Sequence, residues 1–267
     1  MEIRTAEITE SVRKKTPLVH QITNYVTVND CANITICAGG SPIMSDSIHD
    51  VEDMVAVSDC LILNIGTLNE NTVRSMIAAG KAANSAGIPV LFDPVGAGAT
   101  PFRSETADKI LKNVKLDIIK GNEGEIGFLS GMGGKVRGVD SAGSDSPAEA
   151  VREVSRKWRC TAVSTGQVDR VCGNGMYAEL GNGTPLLSLI TGSGCMASAV
   201  VGCCLGSWDN PFEAAVGGIT SYNIAGEIAA EKSAGPGTFR QLLFDAMYHQ
   251  KSYDLEEREK ILEIRRI

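Results

Sequence analysis

The apolar residues of this chain fall into short blocks that alternate with amphipathic stretches. Four segments are rich in Ile, Leu and Val and have the length of strands: 59–66, 88–96, 115–122 and 160–166. Between them, residues 69–87, 123–131 and 146–158 repeat apolar positions with helical spacing. Strands that alternate with helices predict an α/β fold, in which parallel strands are joined by helical crossovers into a doubly wound sheet.

The pattern changes after Gly166. Residues 169–180 form two strand-like pieces around Gly173, Asn174 and Gly175, which predicts an antiparallel hairpin and therefore a mixed sheet. An apolar strand is expected just before "TGSGC" (191–195), and from Gly194 onward the sequence is nearly all of helical type, with many small residues. The glycine-rich stretch 131–146 has no apolar period and is interpreted as a mobile loop.

Composition supports one globular domain over residues 1–267. The chain is 43% hydrophobic and contains 29 glycines, which suits a full core of small and aliphatic side chains. A formal net charge of −7 argues against a nucleic-acid or anionic membrane surface as a partner, so small molecules are expected instead.

Targeting and cysteine patterns favour a cytoplasmic enzyme. The N-terminus lacks an apolar signal segment, and no stretch approaches the roughly 18 apolar residues of a membrane span. The eight cysteines include no Cys-x-x-Cys pair, so neither a zinc site nor a disulfide framework is predicted.

Polar residues follow the predicted strands, where the carboxyl ends of parallel strands meet at one edge of the sheet. They include Asn64, Asp93, Lys120, Thr165 and the "TGSGC" turn. We expect the side chains of these residues to converge there.

This set predicts a site for phosphoryl transfer. The backbone N–H groups of Thr191, Gly192, Ser193 and Gly194, at the start of a helix, form a candidate hole for a phosphate or oxyanion. Asp93, Asn122 and Glu125 offer oxygen ligands that suit Mg²⁺, and Lys120 offers a cation for phosphate. The chain contains neither a P-loop nor a G-x-G-x-x-G motif, and "TGSGC" alone is equally compatible with a packing role.

Several motifs in order resemble those of the hydroxyethylthiazole kinases of thiamine biosynthesis and salvage, members of the ribokinase-like group. They are "HQITN" (20–24), "GGSPIM" (39–44), "LNIGTL" (63–68), "DPVGAGATPFR" (93–103), "KGNEGEI" (120–126), "STGQVD" (164–169) and "TGSGC" (191–195). The resemblance implies a three-layer ribokinase-like fold with a mostly parallel central sheet flanked by helices. It also implies transfer of the γ-phosphoryl group of ATP to the hydroxyl of 4-methyl-5-(2-hydroxyethyl)thiazole with Mg²⁺, in a homotrimer whose active sites lie between subunits.

The resemblance also implies residue roles. By position, Asn24, Met44 and Gly192 would contact the thiazole, and Lys120 and Thr165 would contact ATP. The family more often has Arg where this chain has Lys120, which would replace a forked contact with a point charge.

Cys195 stands where ribokinase-like enzymes usually carry an Asp that takes the proton of the substrate hydroxyl, and the thiazole kinases carry Cys there. A helix N-terminus can lower a thiol pKa, which makes a base role plausible. Because the transition state of phosphoryl transfer is loose, a role that only orients the hydroxyl is equally open.

Other functions must be weighed against this one. A helix-borne thiolate beside an oxyanion hole is also typical of a cysteine hydrolase or acyltransferase, but such an enzyme needs a basic partner and the chain has only three histidines. A non-catalytic nucleotide or thiazole sensor would be expected to lose Cys195, Asp93 or Glu125, and all three are present. Within the same group, a hydroxymethylpyrimidine kinase or a nucleotide-hydrate dehydratase is disfavoured by "HQITN", "SPIM" and the cysteine.

Overall fold

A nine-stranded mixed sheet forms the centre of the molecule. The computed structural model describes residues 3–132, 136–137, 140–141 and 146–267. The strands of the sheet are β1 (Leu18–Ile22), β2 (Ser41–Ile43), β3 (Cys60–Asn64), β4 (Val90–Asp93), β5 (Ile118–Asn122), β8 (Thr161–Thr165), β9 (Asp169–Gly173), β10 (Met176–Leu180) and β11 (Ile261–Arg266), while β6 (Val136–Arg137) and β7 (Asp140–Ser141) pair separately.

The order across the sheet is β11-β10-β9-β8-β5-β4-β3-β1-β2. All pairs from β2 to β8 run parallel, whereas β9, β10 and β11 add an antiparallel edge. The prediction of a mixed sheet with a hairpin over 169–180 is therefore confirmed.

Helices cover both faces of the sheet and give three layers. They are α1 (Thr5–Lys15), α2 (Val28–Ala38), α3 (Val51–Ala56), α4 (Glu70–Ala86), α5 (Pro101–Asn113), α6 (Glu123–Ser130), α7 (Pro147–Trp158), α8 (Ser193–Ser207), α9 (Pro211–Lys232), α10 (Pro236–His249) and α11 (Ser252–Arg258). One apolar core lies under α1, α2, α8, α9 and α10, and the other lies under α3 to α7.

The strand β3 shows how a continuous apolar run serves both cores. Cys60 and Ile62 point into the core beneath α8, while Leu61 and Leu63 point into the core beneath α4. Because the side chains of a strand alternate between its two faces, a strand that is covered on both sides has no polar position until its end. Asn64 is that end.

One expectation for the last third of the chain is wrong. No strand lies directly before "TGSGC": Pro185–Leu189 form a 3-10 helix, whose start is capped by the side chain of Thr184. The chain after Gly194 is nearly all helical, as predicted, and the exception is Ile261–Arg266, which form β11 and pair with β10. Most of the loop predicted over 131–146 lies outside the described residues.

The apolar pattern did not assign the elements within the first 58 residues, and it did not assign α5. They include α1, β1, α2, β2 and α3, and they place β1 between β3 and the edge strand β2. Within the part of the chain that the structure describes, no helix combines the length and the apolar character needed to cross a membrane.

Small residues bring α8 and α9 into close contact. Most of α9 is buried inside the chain, so its small residues serve packing within the subunit. At Gly218 of α9, a Cβ atom would lie 2.8 Å from the Cα atom of Val201 in α8. The backbones therefore approach as closely as glycine allows.

We expect Gly218→Ala to lower the free energy of unfolding by about 1–3 kcal/mol, the usual cost of an overpacked contact. Gly237→Ala is the matched control, because a Cβ atom there meets nothing within 4 Å. Urea unfolding measures both variants, and equal stability of the two would contradict the close approach.

Candidate active site

Polar side chains at the strand ends do meet at one edge of the sheet. The strands β3, β4 and β5 end on Asn64, Asp93 and Asn122, and α8 begins above the same edge. The ammonium of Lys120 ties these parts together: its Nζ donates to the carbonyl oxygen of Gly194 at 3.0 Å and lies 3.6 Å from Asp93 Oδ2.

The start of α8 presents backbone N–H groups with no acceptor in the described part of the chain. Met196 is the first residue of this turn whose N–H is bonded, to the carbonyl oxygen of Gly192 at 2.8 Å, so the N–H groups of Ser193, Gly194 and Cys195 remain available. Gly192 has a φ of +83°, and a Cβ atom there would collide with the methyl group of Thr27. Thr191 and Gly192, the other two residues of the predicted anion hole, precede the helix, and the role of their N–H groups stays a prediction.

Cys195 lies in the first turn of α8 and its sulfur accepts two side-chain hydrogen bonds. Asn24 Nδ2 and Asn64 Nδ2 each lie 3.3 Å from its Sγ atom. Burial raises the pKa of the Cys195 thiol, and the negative charge of Asp93 raises it further. Lys120 lowers the same pKa without reversing the shift.

This result differs from the low thiol pKa that a helix N-terminus suggests. The helix rule takes no account of desolvation or of neighbouring charge, whereas Cys195 is partly desolvated and lies near the buried carboxylate of Asp93. In the protein without ligands, the thiol is therefore the dominant form near neutral pH.

Lys120 is an internal cation. Only 2% of the residue is exposed. Burial disfavours the charged form, but the nearby carboxylate of Asp93, followed by Cys195 and Glu125, outweighs burial and raises the pKa of Lys120. An ammonium has three N–H bonds, and Lys120 donates one of them to Gly194 and forms an ion pair with Asp93, which leaves donor capacity for a ligand.

Asp93 and Glu125 are two buried carboxylates beside that cation. Ser198 Oγ donates to Asp93 Oδ2 at 2.6 Å. The two oxygens of Glu125 accept the N–H groups of Gly96 and Asn122, each at 2.7 Å. Burial raises the pKa of Glu125 to about 7, and the charge of Asp93 adds to the effect.

The residues predicted to organise Mg²⁺ fit a cation that is held partly by the substrate. Among the described residues, no three His, Cys, Asp or Glu side chains form a complete metal cage. Mg²⁺ commonly takes one or two carboxylates together with phosphate oxygens, and carboxylate oxygens that accept one N–H keep a further lone pair. Burial and the charge of Asp93 both disfavour the charged form of Glu125, and a divalent cation at this position would favour it.

Asn122 connects this pair to the sheet. Its side-chain oxygen accepts the N–H of Glu125 at 2.9 Å, and the Glu125 carboxylate returns the contact to the Asn122 N–H, which makes a capping box at the start of α6. Asn122 and Glu125, the two residues of the N-x-x-E motif, thus also form a helix cap. Their role as metal ligands stays a prediction.

Met44 and Thr165 lie at the margins of the cluster. Met44 is half-buried against the core beneath α8, and Thr165 Oγ1 donates to the carbonyl oxygen of Gly121 at 3.3 Å. No contact of either side chain tests the predicted roles toward thiazole and ATP.

Arg103 is a site residue whose role sequence reasoning missed. Its guanidinium donates to the carbonyl oxygens of Ile65, Gly66 and Val95 at 2.7–2.9 Å, and so joins the loops after β3 and β4. The motif "DPVGAGATPFR" contained the residue but no signal of its partners, because one of the two loops lies about 40 residues away in sequence.

Asp169 and Asn223 form a second buried pair near the cluster. Asn223 Nδ2 donates to Asp169 Oδ2 at 2.6 Å. Burial raises the pKa of Asp169 to about 6. "STGQVD" contained Asp169, whereas its partner on α9 could not be inferred from spacing.

Comparisons with known proteins agree on one family. A sequence model of the hydroxyethylthiazole kinase family matches residues 9–252. A hydroxyethylthiazole kinase of Clostridium beijerinckii is 44% identical, with 99% of each chain covered. The solved structure of the hydroxyethylthiazole kinase protein of Pyrococcus horikoshii OT3 is 34% identical, with a TM-score of 0.90 and 98% of each chain covered.

More distant structures confirm the fold class. A ribokinase-like superfamily protein of Enterococcus faecalis V583 is 12% identical, with a TM-score of 0.63 over 90% of this chain and 88% of that one. At this identity the likeness shows the fold alone, and the fold is the predicted ribokinase-like α/β architecture.

We expect millimolar Mg²⁺ to raise the thermal unfolding temperature more at pH 8 than at pH 5.5. Glu125 has a pKa of about 7, so it is mostly ionised at pH 8 and mostly protonated at pH 5.5, where it attracts a cation less. Differential scanning fluorimetry with and without Mg²⁺ measures the increment.

Glu125→Gln removes the charge, so its Mg²⁺ increment is expected to be small at both pH values. Glu153→Gln, on the exposed face of α7, is the matched control and is expected to behave like the unchanged protein. An equal increment at pH 5.5 and 8 would contradict the assignment of Glu125.

Proposed function

This chain belongs to the hydroxyethylthiazole kinase family, and from that premise we propose that it transfers the γ-phosphoryl group of ATP to the primary hydroxyl of 4-methyl-5-(2-hydroxyethyl)thiazole. The product would be the thiazole phosphate used for thiamine phosphate synthesis. The whole chain 1–267 acts as one kinase domain in this proposal, and its cytoplasmic location stays a prediction.

The observation that carries the proposal is the arrangement around the first turn of α8. Free N–H groups, the cation of Lys120 and the thiol of Cys195 lie together there. The first two suit a phosphate, and the third is placed to meet a neutral alcohol. A nucleophilic cysteine is not supported, because the buried imidazole of His20 bonds the carbonyl oxygen of Ser45 instead of Cys195.

The proposed step moves one phosphoryl group and one proton. The alcohol oxygen forms a bond to the γ-phosphorus, while the bond from that phosphorus to the β–γ bridging oxygen breaks and ADP leaves with the electron pair. The proton of the alcohol moves to the sulfur of Cys195 in its thiolate form, which becomes a neutral thiol. The N–H groups of Ser193, Gly194 and Cys195 hold the transferring group, whose charge grows on the outer oxygens.

Mg²⁺ would be held by Asp93 and Glu125, with Asn122 beside them, and would neutralise charge on the phosphates. Lys120 contributes a fixed positive charge that does not depend on the metal. Thr165, at the end of β8, is proposed to contact ATP from the neighbouring strand.

The thiazole is proposed to lie against Gly192, Met44 and Asn24. A side chain at Gly192 would meet Thr27 and its φ is +83°, so the ring is proposed to lie against the backbone of this turn. The polar atoms of Asn24 are already engaged with Thr27, Asn64 and Cys195. The edge of the Asn24 side chain would therefore contact the ring without a new hydrogen bond.

We propose a homotrimer in which a neighbouring subunit completes each site. Large apolar side chains near the site are exposed, including Tyr25 at 80% and Leu189 at 61%, together with Val26 and Ile48. Each lies within four residues of Asn24, Met44 or Gly192. These exposed apolar side chains form a rim around the site. A second subunit that covers this rim would remove it from water and would exclude water from the reaction.

We expect ADP to form when the protein is incubated with Mg²⁺, ATP and hydroxyethylthiazole, at a rate well above that with buffer alone.

Cys195→Ala is expected to lower kcat by about 10²–10⁴-fold, the usual contribution of a positioned base. Because the thiol pKa is raised, the thiolate fraction grows with pH, and kcat is expected to rise between pH 7 and 9.

Cys195→Asp supplies a group that ionises at lower pH, so the rise of kcat with pH is expected at lower pH in this variant. Cys37→Ala is the matched control, because this half-buried cysteine lies on α2 away from the site. ADP formation that is independent of the thiazole would contradict the function, and an identical pH profile for Cys195→Asp would contradict the base role.

For the assembly, light scattering is expected to give about three times the chain mass of 28.2 kDa. Tyr25→Asp places a charge in the exposed rim and is expected to yield smaller species with reduced turnover, whereas Tyr253→Asp, which is exposed on α11, is expected to leave the mass unchanged. A concentration-independent monomer with full activity would contradict the shared site.

A further inference from the structure

The amide of Asn64 has its orientation set by the backbone. The N–H of Gly66 points at Asn64 Oδ1 at 2.9 Å, and a backbone N–H can only donate, so the oxygen of the amide must lie on that side. The nitrogen of the amide therefore faces Cys195 Sγ, which is 3.3 Å away.

Asn24 is oriented in the same way. Its Oδ1 accepts the N–H and the hydroxyl of Thr27 at 3.1 and 3.0 Å. Its Nδ2 then donates to Asn64 Oδ1 at 3.0 Å and points at Cys195 Sγ at 3.3 Å. The sulfur thus faces two amide groups whose N–H bonds cannot turn away without breaking a backbone contact.

We propose that Asn64 is a positioning residue, which holds the sulfur of Cys195 as a hydrogen-bond acceptor and stabilises its thiolate, the form that can take the proton of the substrate alcohol. Both polar atoms of the Asn64 side chain are engaged by protein groups, Oδ1 by Gly66 and Asn24 and Nδ2 by Cys195, so it acts through Cys195. This inference rests on the proposed function and adds to it the group that prepares the base.

The chemical reason lies in the change of charge at the sulfur. A neutral thiol accepts weak hydrogen bonds, whereas a thiolate accepts charge-assisted ones that are roughly twice as strong. The N–H groups therefore contribute more after ionisation than before it. The charged and titratable groups that face the sulfur are Asp93, Lys120, Cys31 and Tyr222. Of these, Lys120 is the only cation, so the amides supply further positive potential.

Two variants and a double-mutant cycle test the coupling. We expect Asn64→Ser, which is too short to reach the sulfur, to lower kcat about 10-fold while the KM for ATP changes less than about twofold. In a Cys195→Ala background the same substitution is expected to have no further effect on kcat, because the group through which it acts is gone. The same fold-loss in both backgrounds would overturn the proposal.

A second measurement needs no turnover and so stands apart from the proposed function. Alkylation of Cys195 by iodoacetamide, followed by peptide mass spectrometry over a pH series in metal-free protein, gives the pH midpoint of its reactivity, and Cys37 in the same samples is the internal reference. Asn64→Asp keeps an acceptor for Gly66 and replaces the N–H donor with a carboxylate. We expect the Cys195 midpoint to rise by about 1–2 pH units, with Cys37 unchanged.

Asn182→Asp is the control for the cost of burying a new carboxylate, since Asn182 is buried beside Glu227 and Lys260, away from Cys195. We expect it to leave the Cys195 midpoint unchanged. If Asn64→Asp does not fold, Asn64→Ser gives the same measurement with a smaller upward shift. An unchanged midpoint in the folded Asn64 variants would overturn the proposal.

Discussion

The contact between Lys120 and Asp93 is the interaction on which the site depends. Both side chains are buried, and their ammonium and carboxylate lie 3.6 Å apart at the ends of neighbouring strands. A buried charge without a partner is strongly destabilising, so neither residue can be accommodated alone. The further bond from Lys120 to the carbonyl oxygen of Gly194 fixes the first turn of α8 over the same strand ends.

Burial acts against negative charge throughout the site. Desolvation is the largest cause of the raised pKa values of Glu125, about 7, and Asp169, about 6, and it also shifts Cys195 toward its neutral form. A cation bound at Glu125 would favour the charged form of that carboxylate. The amide N–H groups of Asn24 and Asn64 point at the sulfur of Cys195 and favour its thiolate, which is the form that can accept a proton.

Sequence alone located β3 and β4 and the polar residues Asn64 and Asp93 at their ends, because an apolar run that is covered on both faces stops where the first polar side chain appears. The predicted segments 59–66 and 88–96 ran two to three residues past those ends. It failed where pairing with a distant segment of the chain decides the structure. Ile261–Arg266 carries charges at Glu263, Arg265 and Arg266 and becomes a strand by pairing with β10, about 85 residues earlier.

The environment of Cys195 was beyond prediction for the same reason. A helix start in the sequence indicates a lowered thiol pKa, but burial and the charge of Asp93 act in the opposite direction and outweigh it. The amides that contact the sulfur come from Asn24 and Asn64, which lie 171 and 131 residues away. No local spacing contains that information, whereas the helix cap of Asn122 and Glu125 is local and is legible as a motif.

A crystal structure with Mg²⁺, a non-hydrolysable ATP analogue and hydroxyethylthiazole tests the central claim most directly, since it locates the reacting atoms. The account predicts that the terminal phosphate accepts hydrogen bonds from the N–H groups of Ser193, Gly194 and Cys195. It also predicts that the alcohol oxygen lies within about 3.5 Å of both the γ-phosphorus and the Cys195 sulfur. A phosphate bound away from α8, or an alcohol pointing away from Cys195, would contradict it.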